Sequence, residues 1–272
     1  MTVTPIRLTE AEPPAEPGPA ADIDPAVMNS VLGKAQLILK VFTAEDDTLS
    51  LTGLVRRTGL AKASAYRLAQ ELLHWGLLER VGSDYRLGLR LFELGQCVPR
   101  QRILREAALP FMEDLLLATQ ETIHFAIHDG LDVVYVEKII MHRGLSQQSR
   151  VAGRLPLHCT ATGKVILAFS TGELLGQVLR AGLTPLTQRT VISPMVLADQ
   201  VKRARETGMA TEFEEIRLGY GSLAVPVFGG DRMLAGALSV TAPTNRLNVN
   251  RLTGSLRTAA LGIGRKLQAI ER

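Results

Sequence analysis

The chain has 272 residues, a formal net charge of +4, 46% apolar and 21% charged residues, and only 4% aromatic residues. That length suits two domains rather than one, and no apolar run approaches the ~18 residues of a membrane span. Two cysteines, Cys97 and Cys159, make neither a disulfide framework nor a four-ligand zinc site, so the sequence predicts a reducing, cytoplasmic setting, and the few aromatics argue against a binder that stacks single-stranded bases.

Residues 1–28 are rich in Pro, Ala and Glu, carry a net charge of −4 and show no apolar period, which predicts a disordered tail with no readable leader. From Ser30 onward Val31, Ala35, Ile38, Leu39 and Phe42 recur at helical spacing. The acidic run Glu45-Asp46-Asp47 ends that helix. Ser50 is placed to cap a short second helix, with Leu51, Leu54 and Val55 inward and Gly59 as its stop. A third helix is predicted over 62–74, with Ala65, Leu68, Ala69, Leu72 and Leu73 on its core stripe and Gly76 closing it. Residues 77–81, a turn at Gly82-Ser83-Asp84, and Tyr85-Arg86-Leu87 read as a hairpin.

Three short helices and a hairpin in about 65 residues are the layout of a winged helix-turn-helix. The outer face of the third helix carries Ser64, Tyr66, Arg67, Gln70 and His74. These are donors and a planar guanidinium, the groups that read base edges in a major groove. Lys62 at the helix start and Arg86 on the hairpin are placed for phosphates. The competing reading is a helical hairpin of another small bundle with a merely polar outer face.

Residues 89–120 read as helical, broken at Pro99 and Pro110. Arg100, Arg102 and Arg105 are expected to be solvated or to meet DNA phosphates. Leu91, Leu94, Val98, Ile103 and Leu104 offer apolar positions for a dimer contact. At Glu121 the period becomes two: Ile123, Phe125 and Ile127 alternate with His124, Ala126 and His128, and Asp129-Gly130 signals a hairpin. A second hairpin is predicted over 223–228 and 233–241, with Pro226 marking an edge or a bulge. Helices are expected over 162–181, 195–208 and 246–271. Strands paired by hairpins with helices between them give an α+β domain on an antiparallel sheet.

Several chemistries can be weighed on spacing alone. Ala161-Thr162-Gly163-Lys164-Val165 is not a P-loop, since His158 stands where Gly is required and Val165 where Ser or Thr is required. Gly262-Ile263-Gly264 is not a dinucleotide fingerprint, and Gly221-Ser222-Leu223-Ala224 is not a nucleophile elbow. His124 and His128, four apart on a strand, stand ~13 Å from each other and cannot share a metal. Cys159 beside His158 reads as a small buried thiol rather than a nucleophile. Ser239 and Thr241 share one strand face, and hydroxyls without a nucleophile–base pair suit binding a small anion, the alternative being a polar outer face.

These segments together resemble the IclR family of bacterial transcription regulators across about residues 29–270. The resemblance rests on Leu49 through Leu60, Tyr66-Arg67-Leu68, Tyr85-Arg86-Leu87-Gly88, and Leu155 through Lys164. It also rests on Glu214-Glu215, Leu223 through Phe228, and Gly236 through Val240. Beyond the tail over 1–28, for which it offers no counterpart, it implies a winged helix-turn-helix over 29–93, a helical linker over 94–110 and a GAF-like antiparallel-sheet effector domain over 111–272. It implies double-stranded operator DNA, a small organic acid effector and self-association as dimer or tetramer, with no catalytic residue, metal, cofactor or membrane. Carried over by motif, the effector site comprises Thr160, Ala161, Thr162, Glu212, Ser222, Ser239 and Thr241. Glu212 stands where the family usually has Asp, Ser222 where many members have Cys, and Gly229 where Asp or Asn is common.

Two readings compete with a ligand-responsive regulator. One is an enzyme acting on a small carboxylate through Cys159 or Glu212, its N-terminal helices a dimerisation module. The other is a ligand-binding adaptor that contacts protein only. Neither needs a bare face carrying Ser64, Tyr66, Arg67 and Gln70.

Overall fold

The structure, a computed structural model, describes residues 29–43, 45–140, 150–230 and 232–270. The tail expected over 1–28 and the turn residue Asp231 lie outside the described residues. The described chain falls into two compact units that divide between Leu104 and Arg105.

In the first unit, helix α1 spans Val31–Lys40 with Ser30 as its cap, the hydroxyl accepting from Gly33 N. Helix α2, Leu51–Thr58, is capped the same way by Ser50 and stopped by Gly59, whose φ of 69° needs a residue without a Cβ. Helix α3 spans Lys62–His74 and buries Ala65, Leu68, Ala69 and Leu72. Strands β1 (Leu78–Val81) and β2 (Asp84–Leu87) form the hairpin, Leu78 opposite Leu87 and Val81 opposite Asp84. Ile38, Leu54, Leu68, Leu78 and Tyr85 close one small core. Asp46 ties the α1–α2 turn to the end of α2: it accepts a forked pair of bonds from Arg57 at 2.6 and 2.9 Å, and that guanidinium holds its carboxyl well below the usual range. Two positions of the expected α1 stripe differ. Val31 is exposed, and Phe42 is buried but lies past the end of the helix.

The arm contains α4 (Leu89–Gln96) and α5 (Pro99–Thr119). The expected break at Pro110 does not occur, because Pro110 sits inside α5 on its exposed side. There the carbonyl it leaves unbonded, that of exposed Glu106, remains open to water. Pro99 heads α5, where a missing N–H costs nothing. Leu104 is buried, and Arg105 pairs with the nearly buried Glu137. No helix among the described residues is long and apolar enough to cross a membrane.

The second unit is built on an antiparallel sheet of order β5-β4-β3-β8-β7-β6. The strands are β3 Thr122–Asp129, β4 Asp132–Ile139, β5 Arg154–Pro156, β6 Ala210–Phe213, β7 Tyr220–Phe228 and β8 Leu234–Pro243. The helix expected over 162–181 is two, α6 (Ala161–Phe169) and α7 (Gly172–Ala181), parted at Ser170-Thr171. Helices α8 (Pro194–Thr207) and α9 (Val249–Ile270) complete it. Pro226 lies beyond the reach of β6, on an edge stretch of β7 where a missing donor is harmless. One sheet face carries Ile123, Phe125, Leu223, Val225, Leu238 and Val240, and α9 packs on β7 and β8 with Leu252, Leu256, Ile263 and Leu267 buried at helical spacing. The other face carries a band of small residues, Ala126, Ala210, Ala224 and Ala237, on which α6 lies. That band lets α6 approach so closely that every residue from Ala161 to Ala168 is buried.

Candidate functional site

Strand register assembles the polar groups. Glu212 on β6 pairs with Ser222 on β7, Ser222 with Thr241 on β8, and Thr241 with Thr122 on β3. The next row is Ala210, Ala224, Ser239 and His124. Antiparallel partners share a face, so two adjacent rows place a carboxyl, several hydroxyls and an imidazole beside the start of α6. Ser222 Oγ donates to Glu212 Oε1 at 2.8 Å and shares a hydrogen with Thr241 Oγ1 at 2.9 Å; Thr241 Oγ1 lies 3.5 Å from His124 Nδ1.

The α6 end supplies the opposite wall. Thr160 is its cap, and its hydroxyl accepts from Gly163 N at 2.9 Å. The helix therefore begins at Ala161, and the amides left without an intrahelical acceptor are those of Ala161 and Thr162. Gly163 is required by close approach, since a Cβ there would stand 2.1 Å from the carbonyl oxygen of Leu157. The Thr162 hydroxyl is buried and makes no hydrogen bond of good geometry, although the Tyr135 phenol is near enough to feel it.

Thr160, Ala161, Thr162, Glu212, Ser222, Ser239 and Thr241 all line one enclosed cavity of about 20 Å³, so the seven positions singled out in the sequence converge. Two further lining residues, Tyr135 and Ile216, were not among them. Tyr135 pairs with Ala126 in the unbroken register running from the β3–β4 turn and so lies on the sheet face that α6 covers; beyond it Phe125 pairs with Glu137, which leaves Val136 unmatched in a bulge. The Tyr135 ring packs 4.8 Å from that of His124. A wider open depression of about 390 Å³ lies over residues 245–250 at the start of α9, but one contiguous turn lines it and no distant groups converge there.

The charges are arranged in a dry setting. Lys164 is fully buried and pairs with Glu215, which also accepts from Val191 N at 3.2 Å. Burial pushes the Glu212 carboxyl up to about 7, helped by the Glu215 charge and opposed by the bonds from Ser222 and Glu215 N and by Lys164. His124 is held neutral, down to about 3, by burial and then by the Lys138 charge. Burial, with the charge of Glu215 behind it, pushes the Cys159 thiol up, and Cys159 is fully inaccessible. It is the inert thiol expected, with no thiolate to attack anything. His124 is buried and His128 exposed on the same strand. Among the described residues no group of three His, Cys, Asp or Glu is placed to hold a metal ion.

In the first unit, the start of α3 is capped by Ala61 without a side-chain bond, and Lys62 is exposed there. Tyr66 and Arg67 are exposed, Arg67 resting 3.4 Å from Glu71 one turn on. Ser64 and Gln70 are half-buried, and the Gln70 amide stands 3.5 Å from the Tyr85 hydroxyl, so the bare face is narrower than its residue types suggest. Arg86 on β2 is exposed and bonded to Glu79 across the hairpin at 2.7 and 2.9 Å.

Comparison with known proteins follows both units. Residues 97–267 match the family model described as bacterial transcriptional regulator IclR C-terminal, and residues 31–82 the IclR helix-turn-helix domain. The chain is 32% identical over 241 residues to the HTH-type transcriptional regulator XynR of Escherichia coli K12, spanning 86% of this chain and 95% of that protein. It is 33% identical over 242 residues to KdgR of the same organism, spanning 85% and 92%. Among solved structures, an IclR homolog from Microbacterium hydrocarbonoxydans complexed with 4-hydroxybenzoate superposes with a TM-score of 0.82 at 30% identity, over 88% of this chain and all of that one. The Thermotoga maritima IclR does so with 0.72 at 27% identity, over 87% and 98%. These relatives are regulators rather than enzymes, which removes the enzyme reading that Cys159 and Glu212 had left open. The chain belongs to the IclR family of bacterial DNA-binding transcription regulators, with an N-terminal helix-turn-helix and a C-terminal effector domain.

Proposed function

We propose that this regulator senses a small organic acid, a hydroxylated aromatic acid before a two-carbon oxo acid, and thereby controls a catabolic operon in the cytoplasm. The observation that carries this reading is the convergence of helix amides, hydroxyls and one carboxyl on a single enclosed cavity without a nucleophile–base pair. Amides at the start of α6 and the helix dipole favour the acid group. Ser222, Ser239 and Thr241 supply hydroxyls, Tyr135 and Ile216 the walls for a ring. The 4-hydroxybenzoate held by the Microbacterium relative agrees with an aromatic acid here.

Under the same reading residues 29–93 read DNA, 94–110 link and 111–272 sense. Arg67 and Tyr66 face base edges, Ser64 and Gln70 flank them, and Lys62 and Arg86 meet phosphates. One winged helix covers too few base pairs for a unique site, so the regulator works at least as a dimer. Leu89, Phe92, Leu94 and Val98, all exposed along the arm, support joining through it. The test is calorimetry on the full chain with benzoate, its three monohydroxylated forms and glyoxylate, beside a gel shift on the DNA upstream of its gene. Binding of one acid, weakened by ~1–2 kcal/mol in Ser239→Ala, with a shifted retardation pattern on adding it, is the expected result. Binding unchanged in both Ser239→Ala and Thr241→Ala rejects this site.

A further inference from the structure

The cavity holds an uneven charge. Lys164 and Glu215 pair and cancel. Glu212, 3% exposed, is the further acid of the cluster, and Ser222 Oγ and Glu215 N donate to its oxygens. An organic acid on the Ala161 and Thr162 amides brings a second negative charge into the same small space. Two carboxylates in one dry site do not both stay ionised. The amides and dipole of α6 favour the anion on the ligand, whereas hydroxyls serve a neutral carboxyl as well as a charged one.

We propose, resting on the reading of this cavity as an organic-acid site, that it takes up its acid together with one proton from water, and that Glu212 holds that proton.

The surrounding groups accommodate both states. With Glu212 ionised, Ser222 donates to it over 2.8 Å. With the proton on Oε1, Ser222 accepts and its own hydrogen turns to Thr241 at 2.9 Å, whose hydrogen in turn faces His124 Nδ1 at 3.5 Å. A neutral imidazole has one nitrogen that accepts, and burial keeps His124 neutral. The chain of hydroxyls reverses direction without breaking, and the one bond made is O–H. From the other elements around Glu212, α6 presents Lys164 and the β6–β7 loop Glu215, as a pair. β4 presents the Tyr135 phenol and the turn before α6 the Cys159 thiol, both kept protonated by burial. Glu212, up to about 7, is the group of this set that changes charge near neutrality.

The same five acids supply the probe, measured at pH 6 and pH 8 in buffers of different ionisation enthalpy so that calorimetry counts protons. The expected result for the tightest binder is uptake of roughly one proton at pH 8 and nearly none at pH 6, with about tenfold weaker binding at pH 8. Glu212→Gln, neutral at every pH, should bind equally at both. Binding by the wild type without proton uptake at pH 8 overturns this inference and leaves the functional reading standing. No binding by any of the five overturns both. The wild-type proton count decides the matter even if Glu212→Gln fails to fold.

Discussion

Lys164→Met tests whether the interior of the effector unit is as dry as it looks. The Lys164 ammonium is fully buried, and its partner Glu215 keeps only 5% of its side-chain surface. Methionine fills most of the volume, so the loss is chiefly electrostatic: Glu215 is left as a buried charge without its cation. Breaking such a pair costs about 3–5 kcal/mol. The Val191 amide still donates to Glu215 at 3.2 Å, which favours the lower end. The exposed Arg67–Glu71 pair, by contrast, is an i,i+4 pair worth only about 0.3–0.5 kcal/mol. Native-state hydrogen exchange reads the effect locally. Amides of residues 161–169 should lose protection by the predicted amount, while those of residues 62–74, in the other unit, serve as the internal control. Adding Glu215→Gln to Lys164→Met should restore most of the loss, a coupling above about 2 kcal/mol. A loss below about 1 kcal/mol, or no rescue, would mean that water reaches this pair and that the electrostatic argument for the cavity is wrong.

Four further outcomes follow. Arg67→Ala should cost ~1–3 kcal/mol of operator affinity, and Lys62→Ala should weaken all DNA alike and flatten the salt slope by about one unit, both read by titration at several salt concentrations. Gly163→Ala should disrupt the effector site and leave DNA binding by the first unit intact, because its Cβ meets the Leu157 carbonyl at 2.1 Å; calorimetry and gel shift together check this. Glu212 is raised from 4.5 to about 7, so between those values the folded chain holds a proton that the unfolded chain has released, and stability is lost as pH rises. His124, lowered from 6.5 to about 3, acts in the opposite sense over 3 to 6.5, and does so equally in wild type and variant. The stability of Glu212→Gln relative to wild type should therefore climb from pH 4.5 to 7 by at most about 1.4 kcal/mol per unit, then level off. A flat difference in urea titrations refutes the assigned shift.

The first unit was legible because its signals are local. Ser50 and Gly59 bound α2 as read, and the stripe of Ala65, Leu68, Ala69 and Leu72 fixed α3 and its outer face. Misreadings arose where solvent or a neighbour decides. Pro110 continues a helix because it lies on a wet side, and Gln70 is half-buried beside Tyr85. The enclosed cavity is the reverse case. Spacing alone paired only Ser239 with Thr241; the remaining five positions came through the family likeness. The row Glu212–Ser222–Thr241–Thr122 exists only in cross-strand register, which no stretch of sequence contains. Tyr135 faces the site because it pairs with Ala126 across the β3–β4 hairpin, again a cross-strand relation rather than a motif.

The cavity of about 20 Å³ has a consequence for timing. That is room for about one water, whereas benzene fills a cavity of ~150 Å³. For a ring to enter on the proposed reading, the walls of this cavity must first move apart. The observed association rate must then stop rising once acid is abundant, its ceiling being the rate at which the unliganded chain opens. On the proposed reading, a response to an aromatic acid would carry a built-in delay, set by the chain's own opening and independent of how fast the acid accumulates.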